Sequence, residues 1–194
     1  MSNPVCILTF ASALGSGVVA GIFFAFSNFV MKALARVPPA QGIAAMQSIN
    51  VVVLNRWFFA AFFGTALCCL ALAITSCIRW QRPGAGYLLV GSLLYVVGTI
   101  LVTIVCNVPL NDSLAAVDPT SADAAPTWAN YLKAWTAWNH VRAVAAIAAA
   151  ALFTVGLCRA NSSPDLTVQN IIANDARSIS QSAGGLAASV RGAP

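Results

Sequence analysis

The sequence predicts an all-α fold: a four-transmembrane-helix bundle with two long connections on one side and a polar C-terminal tail. Three observations carry that prediction. Of 194 residues, 59% are hydrophobic and 8% charged, whereas about a quarter are charged in a soluble domain; mean hydropathy is +0.81. Four stretches carry no charged side chain: the run up to Met31, and the runs between Arg56 and Arg79, between Arg82 and Asp112, and between Arg142 and Arg159. Each meets or approaches the ~20 residues that a helix needs to cross ~30 Å of hydrocarbon. A transmembrane β-barrel would instead alternate apolar and polar residues over ~10-residue strands, and no such period is visible.

The spans fall at residues 5–35, 53–78, 85–106 and 139–158. The first reads as a retained helix. It lacks a basic leader, its apolar run exceeds the 7–15 residues of a signal peptide, and no cleavage motif precedes Lys32. Within it, Gly17 and Gly21, flanked by Ala13 and Ala20, form a small-xxx-small pair expected at a close helix–helix contact. Pro38-Pro39 ends this helix. Ile43, Met46, Gln47 and Asn50 then fall at i, i+3, i+4 and i+7, which predicts a short amphipathic helix leading into the second span. A tight turn, Arg79-Trp80-Gln81-Arg82, joins spans two and three.

Pro109 should end the third span. The connection from 107 to 138 holds Asp112, Asp118 and Asp123 with Pro119 and Pro126, and reads as loop until Trp128. Tyr131, Trp135 and Trp138 resume a helical period and are expected at the membrane interface. Ala143 to Ala151 gives the fourth helix a slim profile suited to tight packing. Residues 159–194 form a tail of Ser, Asn, Gln, Gly and Ala, expected to be mobile, with one surface helix near 168–179.

The net charge of +5 comes from basic residues scattered singly at helix ends. That distribution anchors helices at lipid headgroups and excludes nucleic acid as a partner. An even number of spans puts both termini on one face, with the basic turn and Arg159. The other face carries Lys32, Arg36, Arg56, Lys133 and Arg142 and is slightly richer in raw count. Several of these lie beside the polar cluster, so the basic turn and tail argue for cytoplasmic termini. The six cysteines include no C-x-x-C and accompany a single histidine. They read as small apolar core residues, with no metal expected.

Polar side chains are costly in lipid, so their clustering marks a candidate site. Asn107, Asn111, Trp135, Trp138, Asn139, His140 and Arg142 gather about the second long connection and the helix after it; Asn50 and Asn55 enter the second span from the same side. Trp135, Trp138, Asn139 and Arg142 share one helical face at i, i+3, i+4 and i+7. His140 does not: at 100° per residue it lies about 200° from Arg142. Each residue alone has an ordinary structural use as cap, snorkel or interfacial anchor. Together, an imidazole base, a guanidinium and amide donors in an aromatic, water-poor surround suit proton removal from a flat, weakly acidic apolar molecule.

Four segments carry a resemblance. Gly21-Ile22-Phe23-Phe24-Ala25-Phe26-Ser27-Asn28-Phe29-Val30-Met31, Gly42-Ile43-Ala44-Ala45-Met46-Gln47-Ser48-Ile49-Asn50, Asn107-Val108-Pro109-Leu110-Asn111 and Trp138-Asn139-His140-Val141-Arg142 occur in that order. Together they resemble the anthrone oxygenase family of small four-helix membrane proteins, over about residues 17–157. The resemblance implies oxidation of an anthrone-like aromatic polyketide to a quinone, with molecular oxygen as co-substrate and no cofactor. It also implies His140, Arg142 and Asn139 as catalytic candidates, His140 being the base. Arg142, Asn107 and Asn111 would stabilise the anion, and Trp135 and Trp138 would stack on the rings. Asn50 and Asn55 complete the substrate-binding candidates.

A second reading keeps the same helices without chemistry: a membrane bundle that binds a lipophilic small molecule or a partner membrane protein. A transporter fits less well, because no acid lies within the spans and no inverted repeat is evident. Partners on either main reading are the bilayer and a lipophilic aromatic molecule. A homo-oligomer stays open, since a second chain could supply another histidine.

Overall fold

The computed structural model describes residues 4–161 together with 174, 175 and 177, and all regular structure among them is helical. Five helices follow in order: α1 Pro4–Leu34, α2 Pro39–Val52, α3 Arg56–Ile78, α4 Ala85–Ala115 and α5 Ala124–Asn161. Helices α1, α3, α4 and α5 are long and apolar enough to cross a membrane. Between 22% and 39% of the apolar window of each is buried. The remaining apolar surface, including Phe10, Leu14, Leu67, Ile74 and Val144, therefore suits lipid rather than water. The chain is a multi-pass membrane protein. The expected surface helix near 168–179 lies outside the described residues, except that 174, 175 and 177 are helical.

Two boundaries differ from expectation. The third span does not end at 106: α4 continues through Pro109 to Ala115. Just ahead of the proline, Thr103–Asn107 widens into π-helix, and the Val108 N–H donates to the Thr103 carbonyl. A turn opened in this way relieves the ring-against-carbonyl clash that ends an ordinary α-helix. The helix that carries the fourth span starts at Ala124 rather than 139. Pro126 falls in the first turn, where a missing N–H costs no helical bond. The loop between them shrinks to residues 116–123. There Asp118 Oδ1 accepts from the Thr120 N–H and hydroxyl, each at 2.8 Å. These two bonds hold the Asp118 carboxyl below its ordinary value.

At 38 residues, α5 is about 57 Å long, roughly twice the hydrocarbon thickness. The surplus builds a second core. Within the bundle, Val19, Phe23, Phe62, Leu72, Tyr95 and Phe153 pack together; at one end Met31, Ile43, Met46, Leu114, Trp128, Tyr131 and Trp135 form a separate cluster. Helix α2 supplies Ile43 and Met46 to that cap, as its spacing predicted. Its Gln47 Nε2 donates to the carbonyls of Leu114 and Val117 at 2.9 and 3.0 Å, tying α2 to the end of α4. Gly42 brings α2 against the Trp128 ring, where an added Cβ would lie 2.8 Å from it. Trp128, Tyr131 and Trp135 are thus core residues of the cap, although Tyr131 and Trp135 were expected at the membrane interface.

The slim face of α5 behaves as read: Ala143, Ala145, Ala146 and Ala149 are buried, and Ala145 meets Gly98 of α4. The expected contact at Gly17 and Gly21 is corrected. Nothing lies within 4 Å of a Cβ placed at either, because both face outward. The close approach of α1 to α3 is made by Gly15 against Thr65.

Candidate functional site

Where the cap meets the bundle, one guanidinium is enclosed. Arg142 is 5% exposed and is the charged side chain buried among the described residues. Its Nε donates to Asn139 Oδ1 at 2.9 Å and its Nη1 to Thr103 Oγ1 at 3.3 Å. The guanidinium carbon lies 4.0 Å from the Phe23 ring centroid and 4.8 Å from that of Trp135. Cation–π contact with two ring faces offsets part of the cost of burial. Both hydrogen-bond partners are neutral.

Asn139, fully buried, turns this corner into a helix junction. Its Nδ2 donates to the Phe23 carbonyl at 2.8 Å and to Ser27 Oγ at 2.7 Å, both on α1. Residues Phe26–Val30 there are π-helical. The Asn139 amide therefore binds α1 just ahead of this widened turn and within it. Helix α4 reaches the same corner through Thr103 and through Thr99, whose hydroxyl donates to the Arg142 carbonyl at 3.3 Å. Three spans therefore meet at Arg142.

Toward the cap, Asn111 gathers two aromatic donors. Its Oδ1 accepts from Tyr131 Oη at 2.9 Å and from Trp135 Nε1 at 2.8 Å. Trp128, Tyr131 and Trp135 stack in sequence, with centroids 5.6 and 6.3 Å apart. Asn107 is fully buried and donates to the Trp135 carbonyl at 3.2 Å, while its Oδ1 has no partner; Asn50 lies beside the Tyr131 hydroxyl. A buried amide oxygen so placed needs a ligand or water to satisfy it. A pocket of about 240 Å³ opens beside Tyr131, lined by Leu110, Ser113, Leu114, Thr127, Asn130, Tyr131 and Ala134.

Of the nine expected residues the structure brings together Asn50, Asn107, Asn111, Trp135, Asn139 and Arg142, with Asn50 beside the Tyr131 hydroxyl, and leaves three apart. His140 is exposed on the outer face of α5, as the 200° offset required, so imidazole and guanidinium do not share an enclosure. Trp138 is 42% exposed. It sits at i+3 from Trp135 but at the edge of the buried stripe. Asn55 is exposed and caps α3: Oδ1 accepts from Trp57 N and Phe58 N, each at 3.0 Å. Four participants were missed: Phe23 and Ser27 on α1, Thr103 on α4 and Tyr131 on α5. Thr103 could have been found four residues before Asn107, and Phe23 and Ser27 as another i, i+4 pair.

Chemically, the arrangement offers a positive charge beneath aromatic faces, with amide groups beside it and little water. That combination stabilises an oxygen on which negative charge develops. The sequence model of the anthrone oxygenase family matches residues 55–152, half of the chain. The match runs from the start of α3 through most of α5 and includes Asn107, Asn111, Trp135, Asn139 and Arg142. The segments around residues 21–31 and 42–50 lie outside it. No curated protein and no solved structure matches the chain.

Proposed function

The chain belongs to the anthrone oxygenase family, and from that premise we propose that it oxidises an anthrone-like, membrane-dissolved aromatic to a quinone with molecular oxygen. The methylene carbon loses two hydrogens and gains one oxygen atom; the second oxygen atom leaves as water. Four electrons pass from that carbon to dioxygen, so the atoms and charges balance.

The observation that carries this reading is Arg142, buried and bonded only to neutral groups. Its remaining N–H donors suit the substrate's carbonyl oxygen, which becomes negative when the adjacent methylene loses a proton. The delocalised anion is electron-rich enough to reduce dioxygen, so the scheme calls on no resident redox group. Trp135 and Phe23, whose ring faces pack on the guanidinium, give the oxygen an apolar, water-poor surround. Because His140 faces outward, this scheme gives it no part: the proton passes to water while Arg142 holds the oxygen. The termini are assigned to the cytoplasmic face, beside the basic turn at Arg79 and Arg82.

The test is turnover by purified protein in lipid nanodiscs, supplied with an anthrone and followed by quinone absorbance and oxygen uptake. We expect His140→Ala to match wild type and Arg142→Gln to lose about 10²–10³-fold, the scale for removing an oxyanion donor. Wild-type protein no faster than empty nanodiscs would overturn the reading. So would full activity in Arg142→Gln. The rival reading, a non-catalytic bundle, draws on the Asn139 junction between α1 and α5 and predicts lost stability without any turnover to lose.

A further inference from the structure

Arg142 has no opposite charge inside the described protein. The groups that face it are Phe23 from α1, Thr99 and Thr103 from α4, and Trp135 and Asn139 from α5. Tyr131 of α5 is the titratable group within electrostatic reach, and its hydroxyl is bonded to Asn111. His140 points outward, and Asp112, Asp118 and Asp123 are exposed at the capped end. Two of the five guanidinium N–H donors are engaged. An ion withdrawn from water carries a heavy desolvation cost unless an opposite charge accompanies it, and an intramembrane cation is by default a functional group in search of that charge.

We infer that the ligand brings the charge: the site takes a planar, lipophilic weak acid, a phenol or enol, as its monoanion. On binding, the ligand O–H bond breaks, the proton leaves to solvent and the oxygen anion pairs with Arg142. The flat, aromatic shape follows from the aromatic surround of the guanidinium, with Phe23 and Trp135 packed on it and Tyr131, stacked on Trp135, lining the neighbouring pocket. This deepens the proposed function, on which it rests for the ring skeleton, but makes the anion a condition of binding rather than a product of catalysis. It therefore covers molecules with no methylene to oxidise.

The test uses such a molecule. 2-Hydroxyanthraquinone cannot undergo the reaction, and its phenolate absorbs at longer wavelength than its phenol. Titrated with wild-type protein in nanodiscs, its apparent pKa should fall by at least about one unit relative to empty nanodiscs, a tenfold preference for the anion. Arg142→Gln should abolish the shift and Arg142→Lys keep part of it. 2-Methoxyanthraquinone should bind wild type at least tenfold more weakly above that pKa. A straight-chain fatty acid should compete poorly. An unshifted titration, equal binding of the methyl ether, or tighter binding of the fatty acid would each overturn the inference. The ether and fatty-acid arms use wild type alone, so they decide the matter even if Arg142→Gln fails to fold. Anthrone turnover measured on the same sample separates the two ideas. Turnover without a shift sinks only this inference, and a shift without turnover sinks only the oxygenase reading.

Discussion

Asn139 and Arg142, one helical turn apart on α5, are joined by a 2.9 Å hydrogen bond from the guanidinium Nε to the amide oxygen. The amide nitrogen is thereby directed away from Arg142, toward Phe23 and Ser27 of α1. One side chain thus orients the cation and locks α5 to α1. Positioning and stability are coupled through a single residue.

That coupling makes Asn139→Leu informative. It removes two bonds to α1 and leaves the Arg142 Nε without its acceptor inside an apolar surround. We expect a loss of about 2–4 kcal/mol, since a buried charged donor left without its partner is worth more than a neutral bond. Unfolding in a denaturing detergent titration measures it. Asn139→Asp restores an acceptor and adds a negative charge beside Arg142, but gives up the amide donor to α1. It should recover part of the stability and, by neutralising the cation, weaken binding of any anionic ligand.

The α4–α5 seam supplies the second prediction. A Cβ added at Gly98 would lie 2.5 Å from the Ala145 Cβ, which is fixed to the backbone and cannot swing aside. Gly98→Ala should force the helices apart and cost about 1–3 kcal/mol. The seam also carries Thr99 to the Arg142 carbonyl, so turnover should fall with stability. Gly17→Ala and Gly21→Ala meet no atom within 4 Å and should leave the bundle at least as stable. Comparing these variants by thermal unfolding separates packing glycines from outward ones.

The contrast between Gly98 and Gly21 also shows what was legible in the sequence. The spans were readable because charge is excluded from lipid whatever the helices pack against. Helical phase separated Arg142 from His140, since a fixed 100° step requires no tertiary information. Which glycine meets a neighbour depends on how helices face one another, and a motif on one helix does not carry that. Pro109 misled for a related reason. A proline ends an α-helix, but the π-helical turn at Thr103–Asn107 makes room for the ring and lets α4 continue. The loop reading, from residue 107 until Trp128, then failed at both ends, and Tyr131 was read as an interfacial aromatic rather than as a donor to Asn111.

Asn55 provides the last test, because it entered the candidate site on composition and left it on geometry. Its amide oxygen accepts from Trp57 N and Phe58 N at 3.0 Å, and its Nδ2 donates to the Val52 carbonyl at the same distance. These bonds satisfy main-chain donors that the first turn of α3 leaves open and join α2 to α3. Asn55→Ala should cost about 1 kcal/mol of stability. Asn55→Asp should keep the cap and gain from the positive end of the helix dipole. Neither should change turnover once the protein is folded. If Asn55→Ala at full stability lost activity in the anthrone assay, the site would have to extend to the start of α3, and the reading that centres it on Arg142 would fall.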